Sequence, residues 1–131
     1  MARNHARPLS PHLQVWKWQI HFFVSIFNRM MGAGLATVGA ALLVWWLVAL
    51  SGGEAAYATF ITFMKSWYGM IFPIGLSFAF FFHLCAGLRH FVMDSGAGFE
   101  LGTNRNWAWG ALIAAFVLTG AMWLLIFARM I

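Results

Sequence analysis

Few side chains in this sequence can do chemistry, and those that can sit at helical spacing inside long apolar runs. His83, Gly87, His90 and Asp94 follow one another at intervals of four, three and four residues, so on a helix they share one face. His83 is the deepest. If its helix leaves the hydrocarbon near Phe91 or Val92, the imidazole lies roughly 12 to 14 Å inside that boundary, close to the middle of a bilayer core about 30 Å thick. A neutral imidazole at that depth needs a hydrogen-bond acceptor, or a metal on its other nitrogen. Ala79 and Gly87 occupy the two flanking turns, and small residues there would let a porphyrin ligated by His83 lie against the helix. The bland alternatives are a histidine bonded to a neighbouring helix and small residues that serve close helix packing. Arg89 and His90 come almost two turns after His83 and offer donors to carboxylates. A pair of cations snorkelling to the interface would look the same.

A second constellation opens the first apolar run. Ser25, Arg29, Gly32 and Ala36 again follow at four, three and four, which puts a hydroxyl and a guanidinium on one face. Together they could hold a polar headgroup such as a quinone, whose carbonyl oxygens need donors when neutral and positive charge as they are reduced. Against this stand two simpler roles: Arg29 as an interfacial anchor, and Ser25 bonded back to its own helix.

The elements that must position these residues follow from composition. Of 131 residues, 63% are hydrophobic and 8% charged, where an ordinary soluble domain has roughly a quarter charged. Lipid is the expected solvent, and the expected fold is all-α, one domain over residues 1–131 with three transmembrane helices. The spans are placed at about 22–50, 60–93 and 107–126, after a polar lead over 1–21 in which Pro8 and Pro11 discourage a helix. Trp16 and Trp18 beside Lys17 suit the headgroup layer. Ser51-Gly52-Gly53-Glu54 ends the first span, Pro73 is a candidate bend in the second, and residues 94–106 form a polar connector. The first span is longer than a signal-peptide core and is expected to be retained. Arg3, Arg7, Lys17, Arg29, Arg89 and Arg105 fall on one side of the membrane and Lys65 and Arg129 on the other, which predicts a cytoplasmic N-terminus.

Composition also excludes functions. The net charge of +5 comes from residues at span ends, so nucleic acid is not an expected partner. The single cysteine, Cys85, permits no intrachain disulfide and no paired-cysteine metal site. With three acidic residues and no glycine-rich nucleotide loop, the chain has no place for a flavin.

The two constellations, read as motifs, resemble a known family. Residues 25–32, SIFNRMMG, are similar to the S-x-x-H-R-x-[ST]-G segment of the cytochrome b556 subunit of succinate dehydrogenase. Residues 83–94, HLCAGLRHFVMD, resemble its H-x-x-x-G-x-R-H-x-x-x-D segment, and Arg7-Pro8-Leu9-Ser10-Pro11-His12-Leu13 resembles its lead-in. The resemblance implies a membrane anchor forming half of a heterodimeric helical bundle with a second small three-helix subunit. It also implies a flavoprotein subunit and an iron-sulfur subunit carried on the cytoplasmic or matrix side, with no succinate-oxidising site on this chain. Heme b would be shared with the partner anchor and ligated here by His83, with Arg89 and His90 near its propionates. Ser25 and Arg29 would line the ubiquinone site, and Asn28 would neighbour the propionates or the quinone. Electron transport from succinate oxidation in the tricarboxylic acid cycle would then end in quinone reduction, in a bacterial inner membrane or, less expected, a mitochondrial one. The sequence departs from the pattern at Asn28 and Met31, where His and Ser or Thr are usual; an amide can donate hydrogen bonds but carries no charge.

Three rival readings stay open at this level. A heme-free quinone anchor of the fumarate reductase type would share the fold. A small transport or proton-conducting subunit would use His83, His90 and Asp94 as a relay. A purely structural assembly subunit would tolerate substitution at every buried polar position.

Overall fold

A computed structural model describes residues 17–130, so Arg3, Arg7, His12, Trp16 and the lead-in motif lie outside the described residues. Four helices follow: α1 over Ile20–Ser51, α2 over Glu54–Lys65, α3 over Ile71–Asp94 and α4 over Leu101–Met130. Three of them, α1, α3 and α4, are long and apolar enough to cross a membrane. The described residues contain no strand, as expected where every backbone polar group must be satisfied within its own segment.

The second span differs from its sequence expectation. An uninterrupted helix over 60–93 was the hydropathy reading, but the chain divides between Lys65 and Ile71. A side chain causes the break: the Ser66 hydroxyl donates to the Phe63 carbonyl and accepts from the Gly69 amide at 3.0 Å. Gly69 is needed there, because a Cβ would stand 1.9 Å from the Phe63 carbonyl oxygen. Pro73 falls in the first turn of α3, where its missing N–H costs no helical bond. At 12 residues α2 is too short to span. It folds back on the end of α1, with Trp45 edge-on to Phe60 and Phe63, both at 5.0 Å between ring centroids.

α1 is continuous but contains one wider π turn over Leu35–Gly39, beside a Thr37 hydroxyl bonded back to the Ala33 carbonyl at 2.8 Å. α4 begins at Leu101, six residues before the expected Trp107, because its first polar turn carries no hydropathy signal. The core is formed by Val24, Phe82, Ala86, Ala108 and Ala115, with Phe27, Phe78 and Leu112 packed against it. The alanines of α3 and α4 bring those two helices close. Their seam is fastened at both ends: Trp123 donates to the Ser77 hydroxyl at 2.9 Å, and Arg89 donates to the Asn104 side-chain oxygen. Large apolar side chains elsewhere point outward, which suits lipid or a partner chain.

Candidate functional site

Six residues, about one and two-thirds turns, separate Arg89 from His83 and put the two on different faces of α3. On α3, Phe82, Ala86 and Arg89 are buried, while His83, His90 and Asp94 are exposed on another face. Arg89 is 6% exposed and its guanidinium is engaged by Asn104, so the structure places it at the α4 seam and does not bring it to the His83 face. Its Nε is buried without a hydrogen-bond partner among the described residues.

The His83 imidazole lies on α1. A Cβ added to Gly32 would stand 3.0 Å from His83 Cε1, 3.3 Å from Nδ1 and 3.7 Å from Nε2, so the ring occupies the space that a side chain at Gly32 would take. Nδ1 lies 3.4 Å from the backbone carbonyl oxygen of Asn28. A carbonyl can only accept, which favours the proton on Nδ1 and leaves the Nε2 lone pair free for a ligand. One helix of the chain therefore orients the imidazole carried by another.

That contact also sets how α1 and α3 run past each other. A Cβ at Gly39 would touch Leu76 at 3.6 Å, so seven residues forward on α1 correspond to seven back on α3. Continued toward the start of α1, this antiparallel register puts Asn28 about level with Gly87, Ser25 with His90, and His21 with Asp94. The two constellations thus face each other across one seam. The sequence gives each face and is silent on their meeting.

The α1 wall of this seam is short of partners. Ser25 forms no back-bond, whereas the hydroxyls of Thr37, Ser51, Thr59, Ser66, Ser77, Ser95 and Thr119 all donate to carbonyls of their own helix or turn. Arg29 is exposed and has neither hydrogen bond nor ion pair among the described residues. The side-chain oxygen of Asn28 and Nδ1 of His21 are buried and have no hydrogen-bond partner among the described residues. His21 escaped the sequence reading because it lies in the turn assigned to the polar lead. Its signal was available: it precedes Ser25 by four residues and Asn28 by seven, one and two turns along the same face.

The residues present fit a flat group held by one ligand from this chain. His83 is exposed, and a Cβ at Gly87 would meet nothing within 4 Å, so open space flanks the imidazole one turn away. On the other side of His83 an apolar groove continues between Gly34 and Val38 of α1 and Gly75, Leu76 and Ala79 of α3. Among the described residues no three metal-ligating side chains gather to cage a bare metal ion, whereas the iron of a heme, already held by its porphyrin, could be bound through the single imidazole of His83.

Comparison with known proteins points to one family. The family model described as succinate dehydrogenase/fumarate reductase transmembrane subunit matches residues 3–122. The chain is 39% identical over 121 residues to the succinate dehydrogenase cytochrome b556 subunit of Paracoccus denitrificans, covering 92% of each. It is 35% identical to the subunit of that name from Rickettsia felis, over 89% of this chain and 90% of the relative. The succinate dehydrogenase cytochrome b560 subunit of Reclinomonas americana is 33% identical, over 93% and 88%. A match of this extent, on a chain with three membrane-length helices, shows that the protein belongs to the transmembrane subunit family of succinate dehydrogenase and fumarate reductase.

Proposed function

We propose that this chain is the heme b- and quinone-binding anchor of a succinate dehydrogenase, and that the α1/α3 seam is its working surface. The observation that carries the reading is the seat of His83: an exposed imidazole lying on Gly32, with Nδ1 on a carbonyl and Nε2 free, beside the unpartnered Ser25 and Arg29. His83 would hold the heme iron through Nε2, and a partner anchor would supply a further ligand. Heme b, when bound, supplies a one-electron carrier. His90, on the His83 face, would donate to the propionates, with Asn28 across the seam at the level of Gly87; Arg89 would contribute positive charge from the α4 side.

Ser25 and Arg29 would bind the ubiquinone headgroup, the hydroxyl as a neutral donor and the guanidinium as a fixed positive charge that stabilises negative charge on the quinone oxygen. Electrons come from an iron-sulfur subunit and succinate is oxidised on a flavoprotein subunit, since this chain offers neither flavin nor cluster ligands. The relatives' names support membership of that enzyme complex. Arg and Lys at the Lys17 and Arg105 end, against Lys65 and Arg129 at the other, support a cytoplasmic N-terminus in a bacterial inner membrane.

The test is spectroscopic. His83→Leu, expressed with the other subunits, should assemble without the b-type reduced-minus-oxidised bands. An unchanged spectrum would refute ligation by His83. A wild-type complex without b-type bands would favour the heme-free fumarate reductase type.

A further inference from the structure

We propose that His21 is the proton relay of the quinone site, passing protons from the cytoplasmic end of α1 to the headgroup at Ser25. The inference deepens the quinone reading and rests on it. Three observations carry it. His21 lies in the first turn of α1, close after the exposed Lys17 and Trp18, a cation and an aromatic that suit the headgroup layer. It shares the flank of α1 with Ser25, Asn28 and Gly32, the flank that Gly32 shows to face α3. Its Nδ1 is buried and has no hydrogen-bond partner among the described residues, as has the neighbouring Asn28 side-chain oxygen two turns on. A buried imidazole nitrogen without a partner is costly unless a ligand or water completes it.

The chemistry requires such a group. Reducing a quinone to a quinol consumes two electrons, delivered singly by the iron-sulfur subunit, and two protons. Each proton leaves an imidazole N–H and forms an O–H on the quinone, directly or through one water, and the imidazole takes a proton back from the cytoplasm. Imidazole exchanges protons readily near neutral pH, whereas the guanidinium of Arg29 is a donor that stays charged. Among the described residues, the other titratable or charged groups at this end are Lys17 just before α1, Arg29 on α1, Arg89, His90 and Asp94 on α3, and Glu100 and Arg105 around the start of α4. Arg89 is taken by Asn104, and the register puts Asp94 level with His21, where a carboxylate can recharge the imidazole.

The experiment uses the complete complex in membranes, with a short-tailed ubiquinone as acceptor and a water-soluble dye as control acceptor. His21→Ala should lower quinone reduction by about a hundredfold, more at alkaline than at acid pH because bulk protons become scarce. Added imidazole should restore part of the rate, while dye reduction and the b-type spectrum hold. A quinone rate that is unchanged across the pH range, or a loss that is pH-independent and not rescued by imidazole, overturns the relay. If His21→Ala fails to assemble, His21→Gln decides: a full quinone rate in that variant overturns the proposal, and an impaired rate with intact dye reduction upholds it. Arg29→Leu in the same assay separates the two readings. Impairment there with none at His21 removes the relay alone, and no impairment at Arg29 removes the quinone site itself.

Discussion

Helix α3 has two seams of opposite character. Against α4 it packs alanine to alanine, and each polar side chain of that seam finds a partner: Thr119 of α4 bonds within its helix at 2.7 Å, Trp123 of α4 meets Ser77, and Arg89 meets Asn104, with only its Nε left unpartnered among the described residues. Against α1 the contact is apolar on one flank, where Phe27 meets Phe82 edge-on at 4.9 Å, and polar groups on the other flank stay unsatisfied. Polar groups left unpaired inside a membrane reduce stability, so the unpartnered groups of the α1/α3 flank do not hold the fold together. The difference teaches which seam holds the chain together and which carries the polar groups that the proposed ligands would complete.

The largest way to break the comparison is Arg29→Leu. If the open flank serves chemistry, removing its free guanidinium should lower quinone reduction by about a hundredfold, the cost of losing one preorganised donor, and leave succinate oxidation by a soluble dye unaffected. Equal rates with quinone would return Arg29 to the role of interfacial anchor. Next in size is Ala108→Leu, aimed at the other seam. Its Cβ is fully buried against α3, so added methylenes should destabilise the assembled complex by about 1–3 kcal/mol, read as a lower thermal midpoint in detergent. Quinone turnover per assembled complex should hold; if turnover fell in step, the two seams would not be separable.

Gly32→Ala tests the contact between the two helices of the site. The new methyl would stand 3.0 Å from His83 Cε1, close enough that the ring must move by a few tenths of an ångström. The heme should stay bound through Nε2, with an altered ligand-plane signature in the electron paramagnetic resonance spectrum. An identical signature would mean that Gly32 does not orient the ring.

The legibility of this molecule follows the reach of each signal. Four-three-four spacing is local, so the His83 face and the Ser25 face could be read before any fold was known, and hydropathy found three spans. Contacts between distant residues leave no such trace. Nothing in the local pattern says that Gly32 seats His83, or that Arg89 turns from its own neighbour His90 to an asparagine fifteen residues on, in a stretch expected to be a connector. The break after Lys65 was hidden because one serine hydroxyl and one glycine made it inside an apolar run. His21 was missed for the opposite reason: polar surroundings disguised a residue that belongs to the helix.

The smallest expected effect sharpens the comparison from the packed side. Ser77 and Trp123 join α3 and α4 far from His83, and Ser77 also bonds back to the Ile74 carbonyl at 2.8 Å. Ser77→Ala removes both partners at once and leaves the indole N–H without an acceptor, a loss of about 0.5–1.5 kcal/mol. Trp123→Phe removes the donor as well, so the double variant should be less destabilised than the sum of the two single changes. Thermal midpoints of the four complexes measure that coupling. A coupling indistinguishable from zero would mean that the alanine packing alone fastens this end of the seam, and the contrast with the unpartnered α1 flank would then rest on Arg89 and Asn104.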